Sequence, residues 1–235
     1  KCILLKEINI PDSVKKICEE AFIFNKSLEK VTLSSSLKEI SKSVFFRCSS
    51  LTEITIPSSV TVICPKAFAQ CYSLKNVKIT SELIEIGEYA FRECMELEEL
   101  IVPPTVKSIG AQAFNECISL KSFTIPPLLD RIYDETFSGC SSLEEIIIPP
   151  NVRLIGEGAF ASCDSLKKIE IPNSVIVIKK DAFFNCQSLT HLSIPSSIVE
   201  IGDLAFEACY SLKSLTIPSS FKKPLDQLGI NSKVE

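Results

Sequence analysis

The chain has 235 residues, 46% of them hydrophobic, with 25 Lys and Arg against 29 Asp and Glu for a formal net charge of −4. The charges of both signs are interspersed, so no clustered basic face of the kind that holds nucleic acid is present, and that partner class is excluded. Pro, Ser or a charged residue interrupts the apolar content every few positions, so no run approaches the roughly 20 residues that span a bilayer.

Cysteine opens a pattern that recurs every 23 residues, at Cys2, Cys48, Cys71, Cys94, Cys117, Cys140, Cys163, Cys186 and Cys209, with Asn25 in the single gap. A leucine follows three positions later in all ten copies, from Leu5 to Leu212. A fixed period of this length marks a solenoid, in which each unit buries its apolar face only against its neighbours. Residues 1–221 therefore read as one array of ten units, with 222–235 as a C-terminal cap or tail, because Phe221 and Pro224 replace the usual Val and Ile and no Ala-Phe pair follows. The chain opens on Lys1 in the middle of a unit, as a fragment or processed chain does, so the lack of a leader says nothing about compartment.

Within a unit the elements follow in order. Leu51-Thr52-Glu53-Ile54-Thr55-Ile56 alternates inward isoleucines with outward polar residues, which predicts a strand. Proline then ends it at 11, 57, 103, 126, 149, 172, 195 and 218, where its missing donor stops the ladder. A second short strand carries pairs such as Val60 and Ile63, and ends in a column that is glycine at 87, 110, 156 and 202. Ala90, Phe91, Cys94 and Leu97 then space out like the inner face of a helical turn. Stacked, these elements predict a parallel sheet, a second narrower sheet and a column of short helical turns, with nine phenylalanines from Phe22 to Phe206 as an interior spine.

The cysteine column reads as reduced structural thiols, because bridges along identical environments would have to alternate and an odd column leaves one member over. Asn25 in that column points to a hydrogen-bonding role for the side chain. Cys18 and Cys64 fall in the glycine column and look like turn substitutions.

The unit C-x-S-L-x-x-I-x-I-P-x-S-V-x-x-I-G-x-x-A-F-x-x, as in Cys48 to Gln70 and Cys186 to Ala208, resembles the BspA-like, or Treponema-pallidum-type, class of leucine-rich repeat over about residues 2–221. The resemblance implies an α/β leucine-rich-repeat solenoid, a right-handed superhelix used on the surfaces of bacteria and anaerobic protists for adhesion and protein binding. A surface or secreted location follows from the same resemblance, whereas the free-thiol column and the inward Asn25-Lys26-Ser27 sequon favour a cytoplasmic scaffold or structural component.

Chemistry is scarce. The one histidine, His191, lies on a first strand in an outward column, away from the inward cysteines that would need it as a base. No C-x-x-C, P-loop or dinucleotide fingerprint occurs, so no catalytic residue, metal site or cofactor is expected. The expected partner is instead a protein. Subtracting what the repeat demands leaves Glu98, Glu99, Ile101, Thr124, Glu144, Glu145 and Ile147 as an acidic-rimmed apolar patch on the first strands, although β-propensity alone also places isoleucine on such a face. On the second arm Leu154, Ile176, Val177 and Val199 form an apolar stripe where earlier units carry Lys15, Lys16, Lys38 and Glu39; either it is an interface or neighbouring arms cover it. Tyr72, Met95 and Ile118 share a further column. Self-association through the stripe or through the uncapped N-terminal edge is left open.

Overall fold

A computed structural model describes residues 4–80 and 82–230; Cys2, the first of the cysteine column, and the last residues of the tail, 231–235, lie outside them. The chain forms a parallel β-solenoid of about nine turns. Most units supply a first strand of three or four residues and a second strand of two, paired to the next unit in a register of one full period: Glu53–Ile56 runs beside Asn76–Ile79, with Ile54 opposite Val77 and Ile56 opposite Ile79. The alternation of the sequence sets the faces, since Ile54 and Ile56 are buried while Glu53 and Thr55 are exposed. The strands fall into two pairs of sheets. The first strands form one sheet from Glu7–Asn9 to Asn76–Ile79 and another from Ser122–Thr124 to Ser214–Thr216. The second strands form one from Glu39–Ile40 to Ser108–Ile109 and another from Arg131–Ile132 to Glu200–Ile201.

The expected helical turns are absent; among the described residues the one helical segment is a 3₁₀ turn at Asp226–Leu228. The Ala-Phe stretch is instead a turn ribbon whose amides alternate between two partners. Lys66, Phe68 and Gln70 donate to the carbonyls of Glu88, Ala90 and Arg92 in the next unit, while Ala67, Ala69 and Cys71 donate back to Cys64, Lys66 and Phe68 to close β-turns. Lys66 and Gln70 have φ of 59° and 61°, and the equivalent residues of other units share this left-handed backbone. An α-helix would keep its N–H bonds within its own segment and cannot pass through a left-handed residue every fourth position. The helix-like spacing of Ala90, Phe91, Cys94 and Leu97 survives because the turns bring the same side chains inward. Sixteen of these left-handed residues are not glycine, and each carries the steric cost of its Cβ. Ala208→Gly, at φ 61°, is therefore expected to raise stability by about 0.5–1 kcal/mol in urea unfolding. A lower midpoint would refute that account.

Ribbon amides donate forward, toward the C-terminal neighbour. Second-arm amides donate backward, as in Cys64 to Ile40 and Gly87 to Ile63. The glycine column lies where these arms pack most closely: a Cβ on Gly110 would sit 2.5 Å from the nitrogen of Glu88.

Inside, the nine phenylalanine rings from Phe22 to Phe206 stack face to face, with neighbouring centroids 5.3–5.7 Å apart and planes within 12°. The thiols run alongside. All ten described cysteines are free, and each column thiol from Cys48 to Cys209 donates to the carbonyl of the phenylalanine 26 residues earlier, at 3.1–3.3 Å. Asn25 is buried in the same column, but its Oδ1 has no hydrogen-bond partner among the described residues.

At the C-terminal end, Pro224 has no amide to continue the second strand, and the Lys223 ammonium donates to the carbonyl of Ile201 (2.9 Å) while pairing with Asp203 (2.6 Å). Leu204 and Phe206 donate to the carbonyls of Gln227 and Leu228, and Leu228 and Ile230 are buried. Gly229 (φ 78°) makes the following turn, where any Cβ would meet the backbone of Glu207.

Candidate protein-binding surface

On the outward face of the first strands, parity places Ile101 and Ile147 in solvent, at 80% and 78% exposure. Ile147 pairs directly with Thr124, and the Glu99–Ser122 bridge sets Ile101 beside Thr124 on the other side. The three therefore lie in one row across adjacent units. The carboxylates divide by role. Glu98 and Glu144 each accept from the lysine one unit on, Lys121 and Lys167, both at 2.6 Å. Each lysine holds its carboxyl below the usual range, first by hydrogen bonding and then by charge. Glu99 and Glu145 have no such ion pair among the described residues; Glu145 stands opposite Ser122 and Lys168. The row thus presents two apolar side chains beside two unneutralised carboxylates.

Two recesses flank it, each mixing polar and apolar side chains. One of about 610 Å³ is lined by Lys168, Glu170, Thr190, His191, Ser193 and Thr216. The other, of about 500 Å³, is lined by Lys30, Thr32, Glu53, Thr55, Asn76 and Lys78. Neither is marked in the repeat pattern, because local concavity depends on how neighbouring strands splay.

The second-arm stripe is brought together only in part. Leu154 pairs with Val177, and Val199 donates its amide to Ile176 (2.8 Å), so the four residues occupy two adjacent columns. Leu154, Ile176 and Val177 are half-buried, and Val199 stands out at 78% exposure, on the rim of a recess of about 890 Å³ that also holds Glu200, Phe221, Lys222 and Lys223. Tyr210, 76% exposed, is a further candidate that sequence reasoning passed over; it shares the column of Tyr72, Met95 and Ile118, which was its available signal.

The thiols of the column are shielded from reaction. Burial raises the Cys117 thiol to about 12, and Cys71, Cys94, Cys140, Cys163 and Cys186 are likewise raised well above their ordinary value by burial. His191 is exposed, with Nδ1 2.9 Å from Thr190 Oγ1. Among the described residues, no group of three or more His, Cys, Asp or Glu is placed to hold a metal ion, and no helix is long and apolar enough to cross a membrane.

The fold has known relatives. The model of the BspA type leucine rich repeat region matches residues 1–121 and 107–227. A leucine-rich repeat protein from Bacteroides ovatus is 30% identical, with a TM-score of 0.77 over 98% of this chain and 65% of its own. One from Eubacterium ventriosum is 26% identical, with a TM-score of 0.71 over 94% of this chain and 63% of its own. The leucine-rich repeat protein of T. pallidum, 24% identical, shares the fold at a TM-score of 0.61, covering 98% of this chain and 86% of its own. The chain thus spans less than two thirds of the first two proteins. No curated protein matches it. Over its full run of units, from the cysteine–leucine turn to the phenylalanine spine, the chain belongs to the BspA-type leucine-rich-repeat family.

Proposed function

We infer that the chain is a non-enzymatic protein-binding module that recognises its partner through the first-strand face, in surface recognition or adhesion. One observation carries this reading: Ile101 and Ile147 stand almost fully in solvent, in one row, on a sheet whose other outward residues there are polar or charged. An apolar pair so placed gains from being covered, by roughly 1.5–3 kcal/mol per side chain. Glu99 and Glu145 beside it favour a partner that brings basic groups to the rim of an apolar contact. A cell-surface or secreted setting is the one the family resemblance supports. The alternative, an intracellular scaffold, is favoured by the ten free thiols, which persist most readily in a reducing compartment. Thiol titration of protein taken from its native source, together with surface labelling of intact cells, separates the two settings.

The patch is tested by Ile101→Ser/Ile147→Ser. Both side chains are exposed, so the melting temperature should hold, while affinity for a partner captured and identified with the wild-type chain should fall by at least about tenfold. An unchanged dissociation constant would remove the patch from the interface.

A further inference from the structure

The fifth unit, residues 94–116, is attached to its neighbours differently from any other internal unit. The first-strand sheet stops at Asn76–Ile79 and resumes at Ser122–Thr124; between them Glu98–Val102 makes only the single Glu99–Ser122 bridge. Where Lys121, Glu144 and Lys167 each donate an amide to the preceding unit, Glu98 makes no such bond to Lys75. One joint further on, the second-strand sheet stops at Ser108–Ile109 and resumes at Arg131–Ile132. Gly110 and Gly156 donate to Ile86 and Ile132, but Tyr133 makes no bond to Ile109.

The third ladder crosses both joints intact. Phe91 and Glu93 donate to Ala113 and Asn115, and Phe114 and Glu116 donate to Thr136 and Ser138, at 2.7–3.0 Å. The phenylalanine stack is likewise unbroken, with Phe91, Phe114 and Phe137 each 5.6 Å from the next.

Two large residues of the sixth unit lie at the second of these joints. Tyr133 places a ring in the glycine column, where a Cβ on Gly110 or Gly156 would come within about 2.6 Å of the preceding backbone; Cys64 and Lys179, in the same column, keep their amide bonds to Ile40 and Ile155, so the ring is what sets Tyr133 apart. Phe123 takes the inward first-strand position held by Ile54, Val77 and Ile146 elsewhere, and its ring sits 4.8 Å from Phe114 and 5.0 Å from Phe137. Each adds bulk on the strand side of the unit while the ribbon side keeps its ordinary contacts.

We propose that the fifth unit is an articulation of the solenoid: the two halves bend relative to one another about the continuous turn ribbon and phenylalanine stack, with the strand sides opening and closing at the two interrupted joints. Thr32, Thr124 and Thr216 are equally spaced in one outward column, four units apart, about 19 Å at the usual strand separation. Thr32 to Thr124 spans both interrupted joints, and Thr124 to Thr216 spans first-strand joints that are all paired within one sheet. Spin labels on encoded non-cysteine residues at each pair, read by pulsed electron resonance, give two distance distributions. The Thr32–Thr124 distribution should be about twice as wide as the Thr124–Thr216 distribution. Tyr133→Gly, which restores the column glycine, should narrow the first and leave the second unchanged. Equal widths in the wild-type chain overturn the articulation, and a first distribution that Tyr133→Gly leaves as wide as before overturns the part given to Tyr133.

Discussion

Raising the pH from 8 to about 10.5 is expected to unfold the chain cooperatively. Burial lifts each of the eight described thiols of the column: Cys48 and Cys117 to about 12, Cys209 to about 11, and the five others well above their ordinary value. The unfolded thiol ionises near 9, whereas the folded one stays protonated, so the folded state binds more protons as pH rises. Stability is complete below pH 9 and is withdrawn from there toward the folded values. At pH 10 each buried thiol removes about 1 kcal/mol, and the eight described ones together remove on the order of 10 kcal/mol, comparable with the whole stability of an ordinary domain. Circular dichroism against pH should show a steep transition near pH 10, and denaturant titrations should lose stability by about 1.4 kcal/mol per pH unit per buried thiol. Cys117→Ser, which keeps a hydroxyl donor for the Phe91 carbonyl but does not titrate, should lower that slope by one thiol's share. A fold intact at pH 11.5 would mean that the thiols are not buried as described.

Phe114→Ala should cost about 3–5 kcal/mol. The ring is fully buried, lies parallel to Phe91 and Phe137 at 5.6 Å on either side, and touches Phe123 at 4.8 Å, so its loss leaves a void that backbone pinned by the ribbon hydrogen bonds cannot close. Position matters as well as size. In a solenoid each unit is held by its two neighbours, so a weak unit mid-chain uncouples the halves as well as losing its own contacts. Urea unfolding of the variant should therefore show a lower slope or two transitions, whereas Phe22→Ala, at a half-buried ring near the end, should keep one. A single transition with a loss below about 1.5 kcal/mol would show that the stack is not the central support.

The architecture was legible because a perfect period repeats every inference ten times. Strand parity from Ile54 and Ile56 carried over to every unit, and it also foretold the exposure of Ile101 and Ile147. The turn ribbon was not legible, because its left-handed positions hold residues such as Lys66, Gln70, Tyr89 and Glu93, with glycine only at 139 and 158. Without the glycine signal, spacing alone suggested a helical turn. The pairing of Glu98 with Lys121 and of Glu144 with Lys167 escaped notice for a different reason: their partners lie 23 residues away, one unit on, and not within the same strand. The half-burial of Ile176 and Val177 has the same origin, since cover comes from neighbours in the stack. Phe123 and Tyr133 depart from the repeat but carry no signal of their own in the sequence, because their consequence depends on close packing that only the assembled units possess.

The opposed donation of ribbon and second arm has an electrostatic consequence. In an α-helix every peptide dipole adds to one axial sum, so its ends carry partial charge. Here three ribbon amides per unit point toward one end, while two or three second-arm amides point toward the other. The two arrays oppose one another, so their axial contributions subtract where those of a helix add. The backbone field at each tip is therefore less sensitive to the number of units between them than in a helix of equal length. What each end still exposes is short-range: donors on one edge and acceptors on another. The backbone carbonyls of Gln227 and Leu228 and the ammonium of Lys223 answer one of each.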